Sequence, residues 1–138
     1  AISELTTRAN NEKKEIVIDG DLEQILYCDI EWTSEAIGNI VKNALDHTDA
    51  GGKITISWER TPAMIRIYIT DNGHGIDQGD IHHIFKRFYR SKNTSDSQGI
   101  GLGLPLAKVI VEEQGGILSV QSERLQGTTF TLSFLTKS

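Results

Sequence analysis

Apolar and polar positions along this chain follow two different periods, and the switches between them mark its elements. Ile37, Ile40, Val41, Ala44 and Leu45 recur at helical spacing, which predicts a helix over Trp32–His47 with Ser34 as its N-cap. Leu102–Gln114 reads as another helix, stopped by Gly115-Gly116. Strict alternation marks Lys53–Arg60 and Met64–Thr70 as Ile-rich strands joined by a turn containing Pro62. Ile117–Ser122 and Thr128–Leu135 form a second such pair across a turn at Gly127. Lys14–Asp19 and Gln24–Cys28 read as shorter strands, and Asp77–His83 as a short helix. Residues 89–99 carry almost no apolar side chains and read as a mobile loop. The first dozen residues are polar and helix-compatible, so residues 1–13 are expected to be a linker or a helix end and 14–138 the domain proper. Helices and strands alternate irregularly, with hairpins near both ends. That predicts an α/β domain, a mixed sheet with helices layered on one face, rather than a doubly wound parallel sheet.

Composition narrows the class. A chain of 138 residues with 38% hydrophobic and 24% charged residues builds one globular domain with a proper core. A net charge of −5 argues against nucleic acid as the main partner, because phosphate backbones call for clustered Lys and Arg. A local basic cluster, Lys86-Arg87-Phe88-Tyr89-Arg90-Ser91-Lys92, stands out against this background and suits a small anionic ligand. The single cysteine, Cys28, has no internal disulfide partner and lies in an apolar run, which reads as a core position in a reducing compartment. No stretch approaches membrane-spanning length and no signal peptide is visible, so any membrane segment of a parent protein is expected to lie outside this sequence.

Three local patterns carry candidate chemistry. Glu35, Asn39, Asn43 and His47 recur at i, i+4 spacing, a stripe roughly opposite the apolar arc. Such a stripe can be an ordinary solvated face. It can also offer amide oxygens to a hard cation such as Mg²⁺, which takes oxygen ligands and shares them with phosphates. Asp71 ends the Ile65–Thr70 strand and runs into a turn, Asp71-Asn72-Gly73-His74-Gly75-Ile76. A carboxylate only accepts hydrogen bonds, so it suits the amine of adenine and offers nothing to the keto group of guanine. Gly73 and Gly75 let the backbone turn and approach a base closely. Finally, Gly99, Gly101 and Gly103 alternate just before a helix, in Gly99-Ile100-Gly101-Leu102-Gly103-Leu104. Bare amides and a helix N-terminus favour an anion there, although the spacing matches neither the P-loop nor the dinucleotide fingerprint.

Taken in order, Glu35 to Thr48, Asp71 to Gly75, Ile84 to Arg90, Gly99 to Leu104 and Gly127 to Phe130 resemble five boxes (N, G1, F, G2 and G3). These belong to the catalytic ATP-binding domain of sensor histidine kinases, within the superfamily shared with DNA gyrase B, heat-shock chaperone and mismatch-repair ATPases. The resemblance covers residues 14 to 136. It implies a Bergerat-type α/β fold, a two-layer sandwich of a mixed sheet and three helices, holding ATP between helix and lid. Asn43 matches the Mg²⁺ ligand, and Asn39 its partner one turn earlier. His47 matches a position that usually carries an aromatic residue beside the nucleotide. Asp71 matches the adenine-reading aspartate, with Gly73, Gly75 and Ile76 in its turn, and Thr128 the hydroxyl that supports it through water. Gly99, Gly101, Leu102, Gly103 and Leu104 match the second glycine box. Arg90 and Arg87 match basic residues that reach the terminal phosphates, while Phe85 and Phe88 match aromatic anchors of the lid. Asn39, Asn43 and Arg90 are the residues expected to act on the transferred phosphoryl, and residues 89 to 98 the segment expected to close over it.

Two departures sharpen this picture. The related ATPases place a water-activating glutamate where Asn39 stands, and an amide cannot act as a general base. The implied activity is therefore phosphoryl transfer from ATP with little hydrolysis; a superfamily ATPase is disfavoured. Most family members carry a phosphate-touching lysine where this chain has Asp46, which leaves neutralisation to Mg²⁺, Arg90, Arg87 or Lys92 and keeps a non-catalytic nucleotide-binding regulatory module as the alternative. None of the four histidines, His47, His74, His82 and His83, lies in a phosphoacceptor setting. The adjacent His82 and His83 read as surface residues and His74 as exposed. By resemblance, the acceptor belongs to a dimerisation domain of the same parent kinase, to whose helix residues 1–13 would belong. The parent is expected to be a homodimeric protein of the bacterial cell membrane that passes phosphoryl to a response regulator. This portion is expected to be monomeric, cytoplasmic and unable to label itself.

Overall fold

The structure is a computed structural model that describes residues 2–19, 30–46, 48–76, 81, 83–85, 103–123 and 126–135. Its elements are α1 (Ile2–Asn11), β1 (Glu15–Asp19), α2 (Ile30–Asp46), β2 (Lys53–Arg60), β3 (Met64–Asp71), α3 (Gly103–Glu113), β4 (Ile117–Glu123) and β5 (Gly127–Leu135). The five strands form one sheet in the order β1-β2-β3-β5-β4. β1 pairs with β2 in parallel, and every other pairing is antiparallel. This is the mixed sheet expected from the irregular order of elements, and the helices pack to one another as a second layer over it.

Period-two alternation decides which face of the sheet is covered. Ile65, Ile67 and Ile69 of β3, Phe130, Leu132 and Phe134 of β5, and Ile54 and Ile56 of β2 are all buried. They meet Ala36, Ile37, Ile40, Val41, Ala44 and Leu45 of α2 and Leu104, Ala107, Ile110 and Val111 of α3 in one core cluster. The intervening strand positions face solvent and are polar: Tyr68 donates its hydroxyl proton to Glu59 at 2.6 Å, and Arg66 lies 3.6 Å from the same carboxylate.

Several boundaries differ from expectation, each for a physical reason. α2 begins at Ile30, so Ser34 lies inside the helix and is not its N-cap. The apolar pattern extends back to Ile30, seven residues before Ile37, and the helix follows it. β3 keeps Asp71 as its last paired residue, opposite Ile54 on one side and Thr128 on the other. β5 starts at Gly127, which the sequence placed in the turn. α3 ends as expected: Gly115 takes φ +79°, its N–H donates to Glu112 O at 3.0 Å, and Gly116 N–H reaches back to Val111 O at 2.9 Å. Residues 2–11, read as a linker or helix end, form a helix that buries Ala9 in the core and packs Leu5 against it. The expected strand at Gln24–Cys28, with Cys28 in it, the loop at 89–99 and most of the short helix at Asp77–His83 lie outside the described residues.

Candidate functional site

The apolar inner face of the sheet changes character at one end. Ile65, Ile67 and Ile69 are followed two residues later by Asp71; Phe134, Leu132 and Phe130 lead back to Thr128; Leu118 and Val120 lead on to Ser122. Register places the three polar residues in one row, because Asp71 pairs with Thr128 and Ser122 pairs with Thr128. A row of inward-facing polar groups at the end of an apolar face is a poor use of core positions unless something polar meets it.

Asp71 and Thr128 are both buried, each about 6% exposed. Asp71 Oδ1 accepts the Gly73 N–H at 2.8 Å, which closes the turn after β3 onto its own strand end. Burial pushes the Asp71 carboxyl above the ordinary aspartate range, and the backbone N–H groups of Gly73 and Thr128 draw it part of the way back. The next residues are fixed in turn. Asn72 Oδ1 accepts the Lys53 N–H at 2.8 Å, Gly75 adopts φ +75°, and the Ile76 N–H donates to Ser122 Oγ at 2.7 Å. His74 is exposed as expected, and its Nε2 lies 2.8 Å from Asp49 Oδ2. Gly127 has φ +110°, and a Cβ there would overlap the backbone carbonyl oxygen of Asp71. The glycine of the last box therefore allows β5 to close on the aspartate.

A cleft of about 580 Å³ opens at this end of the sheet, lined by Asp71, Ile81, Val120, Ser122, Gly127 and Thr128 among others. That volume falls in the range of small-molecule sites.

α2 packs on β2 and β3 and carries Asn39 and Asn43, one turn apart. Glu35 is exposed, whereas Asn39 and Asn43 are half-buried. The stripe is thus no uniformly solvated face, as a position opposite the apolar arc had implied. Asn39 Nδ2 is buried and has no hydrogen-bond partner among the described residues. An orphan amide donor of this kind is completed by an acceptor such as a phosphate oxygen. Among the described residues no cluster of His, Cys, Asp or Glu could hold a metal ion. Neutral amide oxygens such as that of Asn43 fit Mg²⁺ that arrives with a phosphate ligand better than a resident cation.

Asp46, the unusual residue of this helix, has a partner across the fold. Its Oδ1 accepts from Arg8 Nη2 at 2.6 Å, and Arg8 Nε also contacts Glu12 at 2.7 Å. Lys14 then bridges Glu12 at 2.9 Å and the Leu45 carbonyl at 2.6 Å, capping the end of α2 with a cation.

The structure therefore brings together Asp71, Gly73, Gly75, Ile76 and Thr128. Gly103 is the first residue of α3, and Leu104 is buried in its first turn. Phe85 packs edge-on against Phe130, centroids 6.3 Å apart. His47, Arg87, Phe88, Arg90, Gly99, Gly101 and Leu102 lie outside the described residues. Ser122 is the residue that sequence reasoning missed. No local signal marks it, because its place beside Thr128 is set by the register between β4 and β5.

Residues 28–138 match the family described as histidine kinase-, DNA gyrase B- and HSP90-like ATPase. The sensor histidine kinase YvrG of Bacillus subtilis is 38% identical over 107 residues, 77% of this chain and 18% of that protein. The heme sensor protein HssS of Staphylococcus saprophyticus is 37% identical over 123 residues, 88% of this chain and 26% of that protein. The solved structure of a mycobacterial sensor histidine kinase, MprB, superposes with a TM-score of 0.79 at 25% identity, covering 99% of this chain and 91% of that one. This chain belongs to that ATPase-like family, as an ATP-binding catalytic domain of the sensor histidine kinase kind. It spans between 18% and 26% of the length of these two curated relatives.

Proposed function

We propose that this domain binds ATP with Mg²⁺ and donates the γ-phosphoryl to a histidine on a dimerisation domain of the same parent kinase, from which a response regulator receives it. The observation that carries this reading is the buried Asp71 carboxylate, fixed by the Gly73 and Thr128 backbone N–H groups at the mouth of a small-molecule-sized cleft. An acceptor held in that way suits the exocyclic amine of adenine and leaves the keto group of guanine unpaired.

Phosphoryl transfer needs positioning and charge stabilisation more than covalent chemistry from the protein. Asn43 is the residue that would hold Mg²⁺, which would supply positive charge beside the phosphates. Asn39, with its orphan amide, would donate to a phosphate oxygen. Gly99, Gly101 and Gly103 would present amides to the phosphates, with Arg90 and Arg87 supplying positive charge. Asn39 has no proton-accepting group of the required basicity, so water activation is absent from its repertoire and the phosphoryl is retained for transfer. The domain alone would therefore neither label itself nor hydrolyse ATP quickly. It would be monomeric, whereas the parent would be a homodimer in the bacterial cell membrane with this domain on the cytoplasmic side. Among the described residues no helix is long and apolar enough to cross a membrane.

Titration calorimetry with Mg²⁺ and either ATP or GTP tests the base site. ATP should bind and GTP should not. Equal affinity for the two would overturn the assignment of Asp71.

A further inference from the structure

We propose that Ser122 is a positioning residue of the base site, one that sets the purine specificity of the pocket through Asp71 and Thr128 without needing to touch the nucleotide. The inference rests on the adenine reading of Asp71 given above and adds a residue that lies in none of the five motif boxes.

The geometry is specific. Ser122 Oγ accepts the Ile76 N–H at 2.7 Å, donates to the Gly127 carbonyl at 3.0 Å, and lies 2.8 Å from Thr128 Oγ1. A hydroxyl has one proton and two lone pairs. With its proton on Gly127 O, Ser122 accepts from both Ile76 N–H and the Thr128 hydroxyl. Thr128 is then held in one rotamer, with its lone pairs left for a water or ligand in the cleft. One side chain on β4 thus ties the far end of the Asp71 turn, at Ile76, to the start of β5, at Gly127 and Thr128. These are the two segments whose N–H groups hold the Asp71 carboxylate. The Thr128 N–H ties β5 to the near end of the turn, at Asp71, and Ser122 ties β5 to its far end, at Ile76.

Its location agrees with the role. Ser122 is the third member of the inward-facing polar row and lines the same cleft as Asp71 and Thr128. Replacing it with Ala leaves Ile76 N–H and Thr128 Oγ1 without this partner and frees the turn to move relative to β5. The damage should therefore fall on recognition of the 6-amine, and not on the phosphates, which other residues hold.

The test compares two nucleotides on the intact chain. ATP carries the 6-amine; purine riboside triphosphate lacks it. Calorimetric affinities are measured for wild type, Ser122→Ala and the near-isosteric Ser122→Cys, whose thiol is a weak hydrogen-bonding group and which carries the comparison if the Ala variant does not fold. Wild type should prefer ATP over the analogue. The variants should lose at least fivefold in ATP affinity and less than twofold for the analogue, collapsing the preference. Equal losses for both ligands, or no loss for either, would overturn the positioning role while leaving the adenine site standing. A wild type that shows no preference for ATP over the analogue would remove the adenine reading itself, and this inference with it.

Discussion

Arg8 and Asp46, separated by 38 positions in sequence, meet at 2.6 Å and lock the end of α1 to the end of α2. The pairing explains why a carboxylate occupies a position where the resemblance calls for a phosphate-binding lysine. Asp46 is turned to α1 and its charge is matched there, so it serves the docking of the first helix. Both side chains are mostly buried, 26% and 13% exposed.

Breaking this pair should destabilise the domain. Arg8→Ala and Asp46→Ala should each cost about 1–2 kcal/mol, the range for a charge-assisted hydrogen bond at a partly covered site. The double variant should cost little more than Arg8→Ala alone, because removing Arg8 already removes the contact that Asp46 makes. Asp46→Lys should lower stability as well, by setting two cations together, while raising ATP affinity through a new phosphate contact. Denaturant titration and calorimetry read the two effects separately; additive single-variant losses would show that the pair is not coupled.

The same cluster predicts a response to acid. The hydrogen bonds from Arg8 and Lys14 hold the Glu12 carboxyl below its ordinary value of 4.5. A depressed carboxylate contributes stability that is present above the unfolded value and lost as pH falls through the folded one. The anchoring of α1 should thus weaken below about pH 4.5, the unfolded value. Glu12→Gln should be less stable than wild type at neutral pH and should converge with it in acid. Parallel melting curves at all pH values would contradict this.

Asp71 has the opposite sign. Its folded pKa is raised above 3.8, so its favourable protonated form contributes stability below that value, which is lost as pH rises through the folded pKa. Binding of an amine needs the ionised carboxylate. ATP affinity should therefore fade on acidification at a higher pH than an ordinary aspartate would give. Asp71→Asn should weaken ATP at least tenfold at neutral pH, about 1.5–3 kcal/mol for a lost charged hydrogen bond, and should abolish the acid-side fall that depends on Asp71. An Asn variant that binds ATP as wild type does would remove Asp71 from the site.

Gly127 is a separate point of vulnerability. Its φ of +110° disfavours any side chain, and a Cβ would strike the Asp71 backbone. Gly127→Ala should cost at least about 2 kcal/mol from strain and overlap, measured by denaturant unfolding, and should distort the base site. A neutral substitution would mean that β5 does not close on Asp71 as described.

The sheet was legible because alternation survives in every strand that covers the core, and Ile65, Ile67 and Ile69 announce their inward face without help. Asp71 was legible as the polar residue that breaks this series. Ser122 was not, since its importance appears only when the β4–β5 register sets it beside Thr128, and register between strands is a tertiary property. The docking of α1 escaped for a related reason. Among the described side chains Leu5 and Ala9 mark its inner side, and its polar partner Asp46 is remote in sequence. Ser34 misled because a good capping residue carries no information about how far upstream the apolar pattern continues.

As a phosphoryl donor, this domain needs a separate acceptor. Incubating it with γ-labelled ATP and Mg²⁺, alone and together with the dimerisation domain of its parent, tests that most directly. Label should appear on an acceptor histidine only when both are present, with little free phosphate released from the domain alone. Label on this domain by itself, or rapid phosphate release without the acceptor, would contradict the account.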